Sequence, residues 1–129
     1  LMDSPAGLGE GFRLACCAAD RAVVVSTTDA SALRDAQRTV SVLRNRIPRI
    51  HLVVNRVQPR LLRRLHTTID DAMDAGLPLL GIVPEDPQVM LCANQGQPLI
   101  LRASRGAAVA YLNIAKRLLG QKAPLMKMR

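Results

Sequence analysis

The chain is 129 residues long, with 49% hydrophobic and 22% charged residues, and its formal net charge is +8. This length and composition exclude a disordered chain and fit one globular domain with its own core. No run of residues approaches the roughly 18 uninterrupted apolar positions of a membrane span. The only aromatic residues are Phe12 and Tyr111, which excludes a surface that stacks nucleic acid bases.

Most of the positive charge falls on predicted helix faces and loops. Such a surface suits nucleic acid, anionic lipid or phosphate groups, although solvated helix faces are the default explanation for most of these arginines. The three cysteines, Cys16, Cys17 and Cys92, lack the spacing of a zinc or redox motif. We interpret them as small buried apolar residues in a reducing cytosol.

The first predicted feature in chain order is an acidic loop, Asp3-Ser4-Pro5-Ala6-Gly7, which follows the end of a strand at Leu1-Met2. An acidic residue at the carboxyl end of a strand, followed by Pro and Gly, is typical of α/β proteins that place a carboxylate beside Mg²⁺ for nucleotide hydrolysis. A strand needs about five residues to be a useful member of a sheet. Only two precede Asp3, so we expect the sequence to begin in mid-fold.

Three short apolar runs, at residues 22–25, 50–54 and 79–83, predict strands. Their hydrophobicity is continuous rather than alternating, which indicates strands buried on both faces, as in a parallel sheet. The centres of the runs, Val23, Leu52 and Gly81, repeat every 29 residues, close to the length of one βαβ unit.

The segments between these runs have helical spacing. A helix over 8–18 follows the opening loop, and a second follows the Thr28-Asp29 N-cap. A third begins after Pro59 and ends at Gly76, and residues 99–101 form a further strand or a packed turn. A last helix spans 104–119. The apolar positions that define the last three helices are Leu33, Ala36, Val40 and Leu43; Leu62, Leu65, Ile69 and Ala72; and Ala108, Leu112, Ala115 and Leu119.

This order of elements predicts an α/β fold, a parallel sheet with helices on both faces. Ligands of such sheets bind beyond the carboxyl ends of the strands. The residues after the four strand ends are all polar: Asp3-Ser4, Thr27-Thr28-Asp29, Asn55-Arg56 and Pro84-Glu85-Asp86. Each loop could instead have a purely structural role: Asp29 could simply cap a helix, and residues 84–87 could form a plain turn. Their coincidence at one edge favours a binding site.

At this level of detail the chain resembles the deviant-Walker P-loop ATPases of the MinD/ParA family, and within it the carboxyl-terminal half of the septum site-determining ATPases. Any single matching block is weak, but their order along the whole chain is specific. The blocks are Asp3-Ser4-Pro5-Ala6-Gly7, Gly11-Phe12, Ala19-Asp20-Arg21-Ala22, Ser31-Ala32, Arg34-Asp35-Ala36, Val54-Asn55-Arg56-Val57, Gly81-Ile82-Val83-Pro84-Glu85-Asp86, Asn94-Gln95-Gly96-Gln97-Pro98, Asn113-Ile114-Ala115-Lys116-Arg117-Leu118-Leu119-Gly120 and Pro124-Leu125-Met126.

The resemblance implies that residues 1–129 are part of a Rossmann-like P-loop ATPase domain that uses ATP and Mg²⁺. Asp3 matches the aspartate that holds Mg²⁺ through water, and Gly7 matches the glycine whose amide senses the γ-phosphate; a flexible turn is the alternative for Gly7. Asn55 matches the asparagine that reads adenine, and its carboxamide offers the donor and the acceptor that adenine requires.

Four further positions follow from the same resemblance. Pro84 and Asp86 would border the base, and Arg56 would lie at the nucleotide, although an ion-pairing surface residue is as good an interpretation of Arg56. Ser31 and Asp35 match a face that binds the dimer partner and other proteins, with a solvated helix surface as the alternative.

His51 in an apolar run and His66 near a helix start have no second metal ligand at a sensible spacing. We interpret both as packing or surface histidines.

Two parts of the family pattern are absent from these residues. No Gly-x-x-x-x-Gly-Lys-[Ser/Thr] loop or lysine-bearing variant of it occurs, and the short amphipathic membrane-binding helix with which the family ends is also missing. We therefore expect this fragment to be inactive by itself.

The resemblance implies a nucleotide-dependent switch: ATP drives homodimerisation and association with an anionic membrane, and cell-division regulatory proteins bind the dimer. Such a protein is cytoplasmic and lies at the inner face of the cell membrane. Two alternatives remain, a ParA-like partition ATPase that binds DNA through its basic surface, and a non-catalytic adaptor that kept the fold and lost nucleotide use.

Overall fold

The computed structural model describes residues 1–61 and 77–125, which form a three-stranded parallel sheet with flanking helices. The predicted α/β fold class is therefore confirmed. A short 3₁₀ turn at Pro59–Leu61 follows the second strand. The elements in chain order are α1 (Glu10–Ala18), β1 (Arg21–Ser26), α2 (Ala30–Leu43), β2 (Arg49–Val57), β3 (Leu79–Pro84), α3 (Pro87–Asn94), α4 (Leu99–Arg102) and α5 (Ala107–Leu118).

The strands lie in the order β1-β2-β3, and both pairs are parallel. Arg21 pairs with Arg49 where β1 and β2 begin, and Ser26 pairs with Val54 near their carboxyl ends. The pairing of β2 with β3 ends at Val57 and Pro84. All three strands thus end at the same edge of the sheet, here called the carboxyl edge.

Each face of the sheet carries its own hydrophobic cluster, because the strand residues point alternately to the two sides. One cluster packs α1 and α2 on the sheet, and the other packs α5 on β2 and β3. The first contains Phe12, Cys16, Val24, Val40, Leu43, Ile47, Leu52, Val54, Val57, Leu77 and Leu79. The second contains Val53, Leu80, Val83, Ala107 and Ala110, with Val89, Leu99, Ile114 and Leu118 packed against it.

The side of α5 that faces the sheet differs from the predicted one. Of the predicted stripe, Ala108 is fully buried, whereas Leu112 and Leu119 are 44% and 77% exposed. The buried side carries Ala107 and Ala110, with Ile114 lying directly over Gly81, where a Cβ atom would overlap the Ile114 side chain. Small residues on the helix and a glycine on the strand let the two backbones approach closely, so shape rather than hydrophobicity selects this side.

Cys16 and Cys92 are buried as predicted, but Cys17 is exposed. Two other predictions at the chain level need correction. Residues 1–5 form no strand, and Leu1 is fully exposed. Residues 99–101 lie in the short helix α4 rather than in a strand.

Helix α3 was not predicted from the sequence. Asp86 caps its first turn and Pro87 occupies the first helical position, a combination that is typical of helix starts.

The helix predicted after Pro59 and the residue His66 lie outside the described residues. Within the described ranges, no helix combines the length and the apolar content that crossing a membrane requires.

Candidate nucleotide-binding edge

Three polar loops meet at the carboxyl edge of the sheet. Thr27–Asp29 follows β1, and Asn55 and Arg56 are near the carboxyl end of β2. Glu85 and Asp86 follow β3. The strand pairings at Ser26–Val54 and Val57–Pro84 bring the three loops side by side. Such an edge is where open parallel sheets bind their ligands.

Strand β2 contains an irregularity at the predicted purine-reading residue. Val54 pairs with Ile82 and Val57 pairs with Pro84, so β2 has one more residue than β3 between the two pairs. The extra residue is accommodated at Asn55 and Arg56, and Arg56 has a φ of 55°, in the left-handed region. Bulges of this kind redirect a side chain and are frequent beside binding sites.

The bulge fixes the Asn55 carboxamide. The Arg56 backbone N–H donates to Asn55 Oδ1 at 3.0 Å. Asn55 is half-buried, and its Nδ2 amide makes no hydrogen bond within the described part of the chain. One donor end and one lone pair of the carboxamide thus remain for a ligand at the edge.

Glu85 joins the β2 and β3 loops. Its backbone N–H donates to Val57 O at 3.0 Å. Its carboxylate accepts from Arg56 Nη2 and from Gln58 Nε2, both at 3.3 Å. Pro84, just before it, is buried, so the loop that follows β3 is held against the bulge of β2.

The Asp86 carboxylate caps two helices. Oδ1 accepts the Gln88 N–H at the start of α3 at 3.0 Å, and Oδ2 accepts the Ala107 N–H at the start of α5 at 3.1 Å. Gly106, with φ +58°, lies so close that a Cβ atom there would overlap Asp86 Oδ2. The structure therefore gives Asp86 a structural role, and its predicted place at the base remains untested.

Asp29 is likewise engaged by protein donors. It accepts hydrogen bonds from the Thr27 hydroxyl and from the Ala32 N–H, which make it the N-cap of α2. These two hydrogen bonds, the Thr27 bond first, lower the pKa of Asp29 below its ordinary value of 3.8. The capping alternative offered for this loop therefore describes Asp29 well.

Asp3 and Gly7 lie in the loop before α1. Both are exposed, and Asp3 makes no hydrogen bond or ion pair within the described residues. Gly7 has a φ of +85°, which side chains rarely adopt, and open space surrounds it. Because α1 ends two residues before β1 begins, α1 runs back along the sheet and this loop lies toward the carboxyl edge. Within the described residues, no hydrogen bond or ion pair joins Asp3 or Gly7 to Asn55.

A magnesium ion fits this region only through water. Within residues 1–61 and 77–125, no group of three or more His, Cys, Asp or Glu side chains is placed to hold a metal ion. Mg²⁺ commonly keeps several waters and uses one or two carboxylates. The exposed Asp3 carboxylate, whose oxygens have no other described partner, fits that requirement.

Ser31 and Asp35 lie one turn apart on the exposed side of α2. Asp35 pairs with Arg38 at 3.8 Å, and about 70% of each side chain is exposed. Such an exposed pair contributes little to stability. The surface is open to a partner, and it also has the character of an ordinary solvated helix face.

Glu85, Gln58 and Gly106 are the residues at this edge that the sequence analysis did not assign. The signal for Glu85 was present, since an acid beside Pro84 and an arginine beside Asn55 follow adjacent strands of a parallel sheet. Gly106 gave no such signal.

No protein-family model matches the chain. The septum site-determining protein MinD of Bacillus subtilis is 39% identical over 129 residues, which cover 97% of this chain and 48% of that protein. A MinC:MinD cell division protein complex of Aquifex aeolicus superposes with a TM-score of 0.87 at 31% identity, covering 98% of this chain and 53% of the other. The septum site-determining protein MinD of Pyrococcus horikoshii, complexed with Mg-ADP, gives a TM-score of 0.75 at 25% identity, covering 90% and 48%.

The fold and its neighbours define the class: the chain has the parallel α/β architecture of the Rossmann-like P-loop NTPases. It spans about half the length of the curated relatives that it matches. Within that class, the chain is similar over almost its whole length to the septum site-determining MinD proteins, and the match is consistent with a carboxyl-terminal part of them. The resemblance that the motif series indicated is thereby confirmed.

Proposed function

We propose that the protein carrying this chain is a MinD-type ATPase, a switch that regulates the placement of the division site. ATP binding favours a homodimer that associates with the anionic inner face of the cell membrane and with cell-division regulatory proteins, and hydrolysis releases it. The observation that carries the proposal is the homology over 97% of the chain to a septum site-determining protein. The relatives' complexes with Mg-ADP and with MinC support it.

The residues of the carboxyl edge take distinct roles in this proposal. Asn55 reads the adenine base with its carboxamide, and Pro84 borders the base from the neighbouring strand end. Arg56 and Asp86 shape the same rim. Asp3 holds Mg²⁺ through water, and the ion supplies charge neutralisation of the phosphates when it is bound.

Two features outside the base site complete the switch. The Gly7 amide senses the γ-phosphate, and the positive φ at this position suits glycine, which adopts it without strain. Ser31 and Asp35 belong to the surface that binds the dimer partner and the regulatory proteins.

The test is Mg²⁺-dependent ATP hydrolysis by the purified full-length protein. Asp3→Ala should abolish turnover, whereas Asp20→Ala, which removes an exposed aspartate before β1, should leave it intact. Residues 1–129 alone should not hydrolyse ATP, because they contain no phosphate-binding loop. Undiminished hydrolysis by Asp3→Ala would remove the role of Asp3, and turnover by the isolated chain would contradict the fragment's predicted inactivity.

Membrane association is tested separately from hydrolysis. The ATP-bound full-length protein should sediment with vesicles that contain phosphatidylglycerol and should not bind duplex DNA. DNA binding that weakens steeply with added salt, without vesicle binding, would instead assign the protein to the ParA-like partition ATPases, because counterion release produces that salt dependence.

A further inference from the structure

Base recognition by Asn55 depends on which way its carboxamide faces. Adenine presents an amine donor beside a ring-nitrogen acceptor, whereas hypoxanthine presents a carbonyl acceptor beside an N–H donor. An asparagine side chain that turns by 180° exchanges its own donor and acceptor. A freely turning Asn55 could therefore pair with either base, and selectivity requires that one orientation be held.

The bulge in β2 supplies that restraint. A backbone N–H can only donate, so the 3.0 Å contact from Arg56 N requires the oxygen end of the carboxamide on that side. The N–H belongs to the peptide that joins Asn55 to Arg56 inside the bulge, and Arg56 leaves this peptide with a left-handed φ of 55°. Residues other than glycine seldom adopt this conformation, and it persists where the surrounding structure holds it.

Glu85 bonds to the residues on both sides of Val57 at the end of this bulge. The Glu85 carboxylate bonds to Arg56 Nη2 through one oxygen and to Gln58 Nε2 through the other, and thereby spans Val57 between them. The Glu85 N–H to Val57 O bond fixes the carboxylate's own backbone to the same strand. The Glu85 and Arg56 side chains are 42% and 70% exposed, so the ion pair contributes little to global stability and acts chiefly on local geometry.

We propose that Glu85 is a positioning residue for base selection: by clamping Arg56 and Gln58, it holds the left-handed bulge that fixes the orientation of the Asn55 carboxamide. The inference rests on the proposed function of Asn55 as the adenine-reading residue. Glu85 itself touches no part of the base and acts only through the β2 loop.

The test compares ATP with inosine triphosphate, which differs from it only at the base edge that Asn55 would read. Equilibrium dissociation constants are measured for both nucleotides with the full-length protein. The unmodified protein should prefer ATP. Glu85→Ala should lower that preference by roughly three- to tenfold, the range expected for one hydrogen-bonding orientation. Glu85→Gln should lower it less, because one acceptor oxygen remains to reach either Arg56 or Gln58.

Two comparisons separate orientation from simple stability. Arg56→Val should lower the ATP preference further than Arg56→Gly, because glycine enters the left-handed region freely and a β-branched residue does not. The double variant Glu85→Arg/Arg56→Glu should recover much of the preference that Glu85→Arg alone loses. Arg38→Ala, which breaks the exposed pair on α2, is the matched control and should leave the preference unchanged.

The outcomes are distinct. A fall of both affinities by the same factor would give Glu85 a merely structural role and overturn the inference while leaving the proposed function in place. An unmodified protein that binds neither nucleotide would overturn both. If Glu85→Ala does not fold, as judged by circular dichroism, the ATP preference is compared in Glu85→Gln and in the two variants Arg56→Val and Arg56→Gly. An unchanged preference in those variants would also overturn the inference.

Discussion

Replacing Asp86 with alanine should destabilise the protein more than the loss of an ordinary helix cap. One carboxylate oxygen accepts the Gln88 N–H of α3 and the other accepts the Ala107 N–H of α5. The same side chain thus closes the amino termini of two helices, and Ala107 lies 21 residues after Asp86 in the sequence. Both N–H groups lose their partner together in Asp86→Ala.

The magnitude follows from the two caps. Replacing an N-cap acid by alanine costs about 0.5–2 kcal/mol, so two caps together give about 2 kcal/mol. Ala107 is fully buried, with a relative exposure of 0%, and an unpaired buried N–H costs about 1–3 kcal/mol. We therefore expect the free energy of unfolding to fall by about 3 kcal/mol.

Asp86→Asn provides the intermediate case. The asparagine keeps one acceptor oxygen, but its NH₂ group then faces the second backbone N–H, donor against donor. Its effect should exceed that of losing one cap and fall below that of Asp86→Ala. Urea denaturation measures the free energy of unfolding of the unmodified full-length protein, of Asp86→Ala and of Asp86→Asn, with Asp20→Ala as the control.

Gly106 gives the result that would refute this reasoning. An alanine there places a Cβ atom less than 3 Å from Asp86 Oδ2 and adopts a φ of +58° that disfavours side chains. Gly106→Ala should destabilise the unmodified protein strongly. It should destabilise Asp86→Ala by about 1 kcal/mol less, because the overlapping oxygen is gone and only the backbone strain remains. Costs that simply add would show that the Asp86 carboxylate does not lie against Gly106.

Three further predictions concern packing and pH. Gly81→Ala should cost about 1–3 kcal/mol, because its Cβ overlaps Ile114; Ile114→Ala should recover part of this in a double variant, measured by urea denaturation. Burial, Arg21 and Arg49 lower the pKa of His51, so the unfolded chain binds the proton more readily. Stability should fall as the pH drops below about 6.5, and His51→Gln should flatten that slope. The pKa of Asp29 is lowered from 3.8 in the folded protein, so the stability that its ionised form adds is lost as the pH falls below about 3.8. Asp29→Asn should weaken this loss in acid titrations.

The strands could be predicted from the sequence because their signal is local. Continuous apolar runs with β-branched residues gave all three strands, and the edge at which their polar ends meet followed from the parallel order alone. The cap at Asp29 was also readable, since an acid before a helical repeat has a defined partner within three residues.

The buried side of α5 could not be chosen from periodicity. Both the predicted stripe through Leu112 and the observed one through Ala110 have the spacing of three and four that a helical face requires. What decides between them is the fit of Ile114 over Gly81, a contact between residues 33 positions apart. Hydrophobicity alone favours the leucines, and the larger side chains were therefore placed on the wrong side.

The roles of the acids at the carboxyl edge also depend on contacts between residues that are distant in sequence. Sequence pattern brings Asp29, Glu85 and Asp86 to one rim, but whether each binds a ligand or holds the protein together depends on distant donors. In the structure all three are engaged: Asp29 caps α2, Glu85 clamps the β2 loop and Asp86 caps two helices. A carboxylate that acts on hydrated Mg²⁺ must keep its oxygens free. Among the acids assigned to the site, Asp3 meets that condition within the described residues, and this supports the proposal that Asp3 acts on the hydrated ion.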